Sequence, residues 1–403
     1  VRHTMSVETH KGSQRRGLPV GTPSGVARIA DASAARLAQL RVLIVHDWIV
    51  AWGGAERTVA ELLTLFPWAD LVVGVLGEEN RDLNDVTRRA EESWIAKLPF
   101  ARSHHRWFLP LYAPAFATLD TRGYDLVISS SSSFSKTVRT GANTRHLCYC
   151  HSPPRYLWDL RGAYREDSGV AGVALAMAGP LLRRVDRASA QRVDRFVANS
   201  RYIADRIHRA YDRDAAVIYP PVSAKAAGAA APARDDRFLT LGRLVPYKRV
   251  DLAIEAANRT GATLVVAGDG PDRARLEAMA GPTVSFLGQV SEEQAGILLD
   301  TCAAMIFCAE EDFGIAPVEA NAHGMPVVAY GRGGARESLV DGVTAEFFAE
   351  QTVDSLAAAM TRVTRRPWDD VAIRRNAARF SPECFRSGMA AEVEHLMEMP
   401  NRK

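Results

Sequence analysis

Two glutamates stand eight positions apart in the segment EDFGIAPVEANAHGMP, residues 311–326, on either side of a glycine and a proline. One continuous helix would separate Glu311 from Glu319 by about 12 Å along its axis, too far for both to bind one small ligand. Proline is tolerated at the first helical position, so the pattern predicts a helix that starts near Ala316 or Pro317 and is stopped by Gly324. Glu311 then lies in the preceding loop and Glu319 in the first helical turn. Both carboxylates can face a ligand at the helix N-terminus, where free backbone N–H groups favour a phosphate.

A second group of candidate residues is basic and lies in the segment LTLGRLVPYKRVD. A strand predicted at 238–241 runs into Gly242 and Arg243, and Lys248 follows five residues later at the start of a helix pattern. Glycine permits close approach of a ligand to the backbone, and the two cations can reach the same anion. A solvent-exposed basic turn paired with Asp251 explains the pattern equally well.

The first half of the chain contributes further candidates. Gly53 and Gly54 precede a helix pattern, where backbone N–H groups can approach a phosphate or a sugar. His151 follows a predicted buried strand, so we expect it at the strand's carboxyl end, on the ligand side of a parallel sheet. A structural histidine capped by the next turn accounts for it equally well. The serine run 129–133 is interpreted as a mobile cleft loop in preference to a polar turn.

The glycines of VVAGDGPDRARLEAM begin a dinucleotide fingerprint but do not complete it. Arg273 stands where the third glycine is required, so Gly268 and Gly270 indicate a tight turn between a strand and a helix. A dehydrogenase is accordingly the least favoured class of function.

Composition places the chain among ordinary globular proteins of more than one domain. It has 403 residues, more than one ordinary hydrophobic core accommodates. Of these residues 47% are hydrophobic and 24% are charged, a composition that excludes gross disorder. The net charge of +3 resides in residues 1–40, which carry six basic and two acidic residues. We expect a disordered basic tail there, with a short helix near 31–39. The near-neutral remainder argues against nucleic-acid binding.

Five cysteines, Cys148, Cys150, Cys302, Cys308 and Cys384, are odd in number and lack the paired spacing of a zinc site. They indicate a reducing compartment, and burial on one face of a strand explains the first two better than metal binding does. We expect no metal ion and no other cofactor. No apolar run is long enough to span a membrane and the tail has no signal-peptide pattern, so we expect a cytoplasmic protein.

Continuous apolar runs of strand length alternate with turn and helix patterns from residue 41 onward. Four such strands stand in the first half, RVLIVHDW, DLVVGVL, YDLVISSSSSF and RHLCYCH, and four in the second, RFLTLGRL, ATLVVAGDG, AAMIFCAE and PVVAYGRGG. The alternation predicts an α/β fold with two doubly wound, Rossmann-like domains facing across a cleft. The segment 217–237, rich in proline and alanine, is the predicted boundary. We assign residues 41–220 to the first domain, 221–382 to the second, and 383–403 to a C-terminal helix that either stays apart from the first domain or packs back on it.

Taken together, residues 41–398 resemble the retaining, nucleotide-sugar-dependent glycosyltransferases of family 4, which have the two-domain GT-B fold. The resemblance is carried in order by GRLVPYKRVD, VAGDGP, the E-x7-E motif from Glu311 to Glu319, and GGARESLVDGVT. One departure is Ala345 in DGVTA, where the family usually has glycine, and it affects only the local turn.

The resemblance implies a role for each matching residue. Arg243 and Lys248 would hold the donor pyrophosphate. Glu319 would bind the ribose hydroxyls and Glu311 those of the donor sugar, while the loop from Leu287 to Val290 would meet the base. The predicted catalytic residues are thus Glu311, His151, Arg243 and Lys248, and the predicted donor-binding residues are Gly54, Gly242, Arg243, Lys248, Leu287, Val290, Glu311, Phe313, Gly314, Ile315 and Glu319.

Such a site would neutralise a diphosphate leaving group with two cations and a helix N-terminus, without a metal ion. A glycosidase would instead use Glu311 and Glu319 as acid and nucleophile about 5–5.5 Å apart, and would not need the cations. A nucleotide-sugar epimerase of similar architecture and a catalytically silent glycan-binding or assembly subunit both stay open as functions of the chain.

The segment 93–120 interleaves aromatic residues with lysine, arginine and histidine. Such a segment can contact a membrane interface or a lipid-linked acceptor, and a buried helix pair with a charged edge explains it almost as well. It looks like segments of bacterial family members that add mannose or a related hexose to polyprenyl-linked or other glycans of the cell envelope. We therefore predict GDP-mannose as the nucleotide-sugar donor, a glycan or lipid-linked acceptor, and peripheral attachment to the inner face of the cell membrane.

Overall fold

The computed structural model describes residues 35–81, 83–158, 169–223 and 234–400. Most of the predicted disordered tail, residues 1–34, lies outside the described residues, as do 224–233 of the predicted domain boundary and 401–403 at the C-terminal end. The chain divides into two compact units, Val1–Gln39 and Leu40–Lys403. In the first unit residues 35–37 are helical, within the short helix predicted near 31–39. Two parallel sheets build the second unit.

The first sheet contains seven parallel strands: β1 (Val42–His46), β2 (Asp70–Val73), β3 (Ala90–Glu92), β4 (Leu126–Ser131), β5 (Arg145–Cys150), β6 (Arg195–Ala198) and β7 (Ala215–Val217). Their order across the sheet is β3-β2-β1-β4-β5-β6-β7. The chain therefore builds outward from β1 in one direction and then from β4 in the other. This reversal of strand order beside β1 and β4 opens a crevice at their carboxyl ends.

The second sheet contains six parallel strands: β8 (Phe238–Leu241), β9 (Leu264–Ala267), β10 (Val284–Gly288), β11 (Ala304–Phe307), β12 (Val327–Tyr330) and β13 (Ala345–Phe348). Their order is β10-β9-β8-β11-β12-β13, with the same reversal beside β8 and β11. All eight strands predicted from apolar runs are found, and the predicted fold of two parallel-sheet α/β domains is confirmed.

The α-helices of the described ranges are α1 (Gly54–Leu65), α2 (Asp85–Arg89), α3 (Leu109–Ala117), α4 (Arg155–Trp158), α5 (Gly169–Ala190), α6 (Arg201–Tyr211), α7 (Val250–Thr260), α8 (Arg273–Met279), α9 (Glu292–Thr301), α10 (Ile315–Ala322), α11 (Ala335–Ser338), α12 (Val353–Arg365), α13 (Asp370–Ala377) and α14 (Pro382–Glu398). Short 3₁₀ helices occur at Glu78–Asn80, Trp94–Lys97, His105–Phe108, Ser135–Thr137, Pro246–Lys248 and Ala378–Phe380. Within these ranges no helix has the length and apolarity that a membrane crossing requires.

The central strands are buried on both faces, which explains why their sequences are continuously apolar. In β9, Leu264 and Val266 belong to a core with α7 and α12, whereas Val265 and Ala267 belong to a second core with α9 and α10. Successive side chains of a strand point to opposite faces, so each apolar run supplies two cores at once.

The C-terminal helix α14 packs against the first sheet. The ring of Phe385 lies edge-on to Tyr149 of β5, with centroids 5.6 Å apart. Arg386 forms an ion pair with Glu61 of α1, and Glu392 forms one with Arg195 of β6. These contacts attach α14, which follows the second sheet in the chain, to the first sheet and its helix α1.

The aromatic and basic segment 93–120 does not form a buried helix pair. It folds into two 3₁₀ helices followed by the single helix α3, whose Tyr112 and Phe116 are fully buried. Trp94, Phe100 and Trp107 remain 40%, 69% and 64% exposed. The segment thus combines a buried core side with an aromatic surface.

Candidate active site

A cavity of about 1200 Å³ lies between the two sheets, at the carboxyl ends of their central strands. Its wall includes Gly54 after β1, His151 after β5, Gly242 after β8 and Glu311 after β11. Open α/β sheets bind ligands at this position, where the strand order reverses. A cavity of this volume exceeds what a small ligand requires and has room for a donor and an acceptor.

Most predicted site residues come together in this cavity. Its lining includes Gly54, His151, Gly242, Lys248, Glu311, Phe313, Gly314, Ile315 and Glu319.

Three predicted residues do not line the cavity. Arg243 is exposed and borders a small adjoining cavity with Gly242 and Lys248. Leu287 belongs to strand β10 and is 49% exposed. Val290 packs against the core that β9 shares with α9 and α10. The contact of this loop with a nucleotide base therefore stays a prediction.

Glu311 offers a buried oxygen to the cavity. Its Oε1 atom lies 3.4 Å from Lys248 Nζ, as an ion pair, yet it accepts no well-aligned hydrogen bond among the described residues. Burial alone would lower the pKa of Lys248, but the Glu311 carboxylate and Tyr247 raise it overall, so the ammonium stays charged. A buried acceptor without a donor requires an explanation, and a hydroxyl group of a ligand supplies one.

The Lys248 ammonium lies close to the backbone of a loop that requires glycine at positions 242 and 268. Gly242 has a φ of +135°, and a Cβ there would lie 3.0 Å from Lys248 Nζ. Gly268 has a φ of +139°, and a Cβ there would overlap the carbonyl oxygen of Gly242. The G-x-G at Gly268 and Gly270 therefore forms the tight turn predicted from its incomplete fingerprint, and it supports the loop that carries Gly242.

The second glutamate of the motif sits differently from its predicted position. Helix α10 begins at Ile315, so Pro317 is the third helical residue and Glu319 the fifth, beyond the first turn. Gly314 makes the earlier start attainable, because its φ of +85° turns the chain sharply into the helix. Proline is still accommodated, since the first four N–H groups of a helix have no partner within it.

Arg57 of helix α1 contacts Glu319 from across the cavity and was not among the predicted residues. Its Nη1 atom forms an ion pair with Glu319 Oε1, and its Nη2 atom lies 3.5 Å from Glu292 Oε1. A Cβ on Gly54 would overlap the Ile315 side chain, so α1 and α10 meet end to end. The signal in the sequence was a cation one turn beyond the Gly53-Gly54 pair, but its partner lies 262 positions away.

The segment that carries the two glutamates is also held at Asp312. The Asp312 carboxylate accepts hydrogen bonds from Arg155 at 2.6 Å and from Arg206 at 2.8 Å, both in the first domain. Ser200 donates to the Asp312 carbonyl at 2.5 Å. Because Asp312 adjoins Glu311, these contacts make the position of Glu311 depend on the first domain.

The serine run 129–133 is not the mobile cleft loop predicted from its composition. Ser129 to Ser131 form the buried end of β4. The next four residues, 132–135, donate their backbone N–H groups to the Asp47 carboxylate at 2.6–2.8 Å. Asp47 follows β1, so a buried carboxylate fixes the turn that brings Ser132 to the cavity.

The first-domain wall of the cavity is mainly aromatic and apolar. Trp48, Trp107, Leu109 and Pro110 line it together with Arg106. The neighbouring His105 is kept neutral, because burial, followed by the charges of Arg106 and Arg243, lowers its pKa to about 4. This wall can accommodate a ligand with an apolar part and an anionic or hydroxyl-rich part.

Two family models match consecutive parts of the chain. The model described as Glycosyltransferase Family 4 matches residues 52–225, and the model described as Glycosyl transferases group 1 matches residues 224–380. Together they span the second sheet, six of the seven strands of the first sheet, all but β1, and every residue that lines the cavity except Trp48.

The relatives that match part of the chain include proteins that are named as glycosyltransferases. It is 29% identical over 188 residues to D-inositol 3-phosphate glycosyltransferase of Mycobacterium avium, covering 43% of this chain and 44% of that protein. It is 33% identical over 154 residues to the GDP-mannose-dependent alpha-(1-6)-phosphatidylinositol dimannoside mannosyltransferase of Mycobacterium tuberculosis, covering 36% of this chain and 39% of that protein. The chain thus spans less than half the length of the curated relatives it matches.

Solved structures of glycosyltransferases share the fold over nearly all of the chain. HepE of Anabaena, in complex with UDP and glucose, matches with a TM-score of 0.63 at 20% identity, over 88% of this chain and 100% of that one. Sucrose-phosphate synthase of Thermosynechococcus elongatus matches with a TM-score of 0.66 at 17% identity, over 88% of this chain and 99% of that one. The chain belongs to the GT-B glycosyltransferases of family 4, whose second domain is the group 1 glycosyl transferase domain.

Proposed function

We propose that this chain transfers a hexose, with retention of configuration, from a nucleotide sugar to a glycan or lipid-linked acceptor, without a metal ion. The observation that carries the proposal is the buried Glu311 oxygen, which accepts no well-aligned hydrogen bond from the described residues and adjoins the Lys248 ammonium inside the cavity. A sugar hydroxyl would donate to the oxygen, and a phosphate would bind the cation. A nucleotide sugar carries both groups next to each other.

The leaving group of such a reaction is a nucleoside diphosphate, and its growing negative charge must be stabilised. Lys248 and Arg243 supply positive charge, and the N-terminus of α10 supplies free N–H groups. Lys248, which is paired with Glu311, and the N-terminus of α10 are held in place by the protein, so little reorganisation of these groups is required during reaction. Such preorganisation contributes on the order of 3 kcal/mol per donor in other enzymes. We therefore expect transfer to proceed with divalent ions removed.

Glu319 is the proposed ligand of the ribose hydroxyls. Glu319 is paired with Arg57, so nucleotide binding has to displace or share that contact. We favour GDP-mannose as the donor, because one partial relative is by name GDP-mannose-dependent. UDP, which is bound in the HepE structure, is the competing nucleotide that the experiment below separates.

The acceptor is proposed to bind against the first-domain wall. Trp48, Trp107 and Leu109 offer apolar contact area and Arg106 a cation, which together suit a phosphate-bearing lipid carrier or an amphipathic glycan. Exposed Trp94 and Phe100 lie in the same segment, 93–120. We propose that this surface contacts the inner face of the cell membrane, with the enzyme working from the cytoplasm.

The experiment that tests the proposal is calorimetric titration with GDP, UDP and ADP, together with turnover of GDP-mannose and UDP-glucose in buffer with EDTA. Lys248→Ala and Glu319→Ala are compared with Arg122→Ala, which removes a cation 90% exposed and outside the cavity. We expect one nucleotide to bind, the two cavity variants to weaken it about tenfold or more, and Arg122→Ala to match the wild type. Absence of nucleotide binding, or equal binding by all variants, would favour a silent subunit. Conversion of donor without transfer to an acceptor would favour an epimerase.

A further inference from the structure

A chain of polar side chains links the Gly53-Gly54 turn to His151 through the interior of the first domain. The Gly53 N–H group donates to Glu56 Oε2 at 3.0 Å, and Glu56 Oε1 lies 3.7 Å from His46 Nε2. His46 Nδ1 is 3.0 Å from Ser130 Oγ, which is in turn 2.8 Å from His151 Nε2. The chain begins and ends at residues that border the cavity.

One backbone carbonyl fixes the direction of every hydrogen bond between His46 and His151. His46 Nδ1 lies 3.1 Å from the carbonyl oxygen of Ser130, which can only accept, so Nδ1 carries a proton. The Ser130 hydroxyl, 3.0 Å from the same Nδ1, therefore accepts from it. Its own proton is left to donate, and His151 Nε2 at 2.8 Å is the acceptor. An Nε2–H form of His151 would leave the hydroxyl proton of Ser130 without an acceptor.

The charges around the two rings agree with this arrangement. Burial by itself would lower the pKa of His46, but the hydrogen bond and charge of Glu56, the charge of Asp47 and the Ser130 carbonyl raise it overall. Burial, followed by the nearby His46, lowers the pKa of His151 to about 3. The ring of Tyr149 lies edge-on to His151 at 5.2 Å and adds no charge at neutral pH. His151 is therefore a neutral imidazole that accepts at Nε2 and carries its proton on Nδ1.

We propose that His46 and Ser130 are positioning residues that hold His151 in the Nδ1–H form, so that His151 donates a hydrogen bond to a substrate oxygen and does not act as a base. Within the described ranges His151 Nδ1 has no protein partner, and the residue lines the cavity, so this N–H group is available to a ligand. The role in transfer rests on the function proposed above, whereas the form of the ring does not. The Glu56 carboxylate joins the Gly53 turn to His46 and thereby helps to hold His46 in place.

The form of the ring is measured directly by long-range ¹H–¹⁵N NMR on the full chain labelled at histidine, with His151 assigned by comparison with His151→Gln. We expect a neutral ring protonated at Nδ1 that does not titrate between about pH 5 and 8, since its pKa lies near 3. A ring protonated at Nε2, or one that titrates near 6.5, overturns the proposal. This readout needs neither donor nor acceptor, so it stands even where no hexose transfer is detected.

Ser130→Ala breaks the link, and a neighbouring serine provides the matched control. Ser129 Oγ pairs with His146 Nε2 at 2.9 Å, a buried bond between β4 and β5 whose residues do not line the cavity. We expect Ser130→Ala to mix the two forms of His151 and to lower kcat about three- to tenfold with little change in donor KM, the range of one ordinary hydrogen bond. Ser130→Thr, which keeps the hydroxyl, should restore the wild-type ring signals. Ser129→Ala should change neither the ring signals nor kcat, and a Ser130→Ala protein that keeps the wild-type form of His151 refutes the positioning role.

Discussion

Arg57→Ala should tighten nucleotide binding, although it removes a cation from a site that binds an anion. Arg57 is paired with Glu319, the proposed ribose ligand, so the ribose hydroxyls compete with a guanidinium for the same carboxylate. Its second contact, to Glu292, is 3.5 Å long and involves a carboxylate 88% exposed, so it contributes little. Removing Arg57 leaves Glu319 free to accept both hydroxyl groups.

The gain in nucleotide affinity expected from Arg57→Ala is small, because the ion pair between Arg57 and Glu319 is partly exposed. The Arg57 side chain is 38% exposed and the Glu319 side chain 24% exposed. The ion pair should therefore contribute about 0.5–1 kcal/mol, as ion pairs near the surface do. An interaction of that size changes a dissociation constant about two- to fivefold. The same weakening of the pair should follow from salt, because exposed ion pairs are screened. The gain from Arg57→Ala should therefore be larger at low ionic strength.

The assay is calorimetric titration of the wild type, Arg57→Ala, Arg57→Lys, Glu319→Ala and the double variant with the nucleoside diphosphate that binds best. Arg57→Lys keeps the charge and should behave like the wild type. In the Glu319→Ala background, Arg57→Ala should have no further effect, because the two substitutions remove the same interaction. A tenfold loss of affinity in Arg57→Ala would show that Arg57 itself holds the nucleotide, and the reasoning from competition would be wrong.

Three further outcomes are expected from the structure. The pKa of His151 is about 3 in the folded chain and near 6.5 in the unfolded one, so unfolding takes up a proton at this residue between these pH values. The contribution of His151 to the unfolding free energy should thus fall as pH drops below about 6.5, by at most about 1.4 kcal/mol per pH unit, and the wild type should lose more stability over this range than His151→Gln in urea titrations. Gly268→Ala should lower the thermal midpoint far more than Gly261→Ala, since both have positive φ but only the first would overlap backbone, and equal shifts would contradict the tight-turn role. Asp312→Ala removes the carboxylate that binds buried Arg206 and half-buried Arg155, and it should cost about 2–4 kcal/mol of unfolding free energy. Asp120→Ala, at an exposed pair, should cost nothing measurable, and similar midpoints for both variants would refute the role of Asp312 in joining the domains.

Local pattern predicted eight of the thirteen strands, four in each sheet, and missed β3, β6, β7, β10 and β13. The run VLIVH of β1 is apolar on both faces, and a glycine pair follows it before α1. Burial on both faces makes parallel strands readable from the sequence alone, because every position must be apolar. The predicted start of α10 lies after the observed start at Ile315. A proline indicates only that a helix begins nearby, whereas the conformation of Gly314 sets the residue at which α10 begins.

The sequence by itself determined the class of fold, the alternation that creates two strand-end crevices, and most of the predicted residues that line the cavity. These features depend on local spacing and on residue type. Only the tertiary structure decided that Arg57 contacts Glu319, that Arg155 and Arg206 hold Asp312, and that Ser130 joins two histidines. Such contacts join positions far apart in the chain, and their geometry follows from how strands pair within a sheet and how the two sheets pack, which no local pattern encodes.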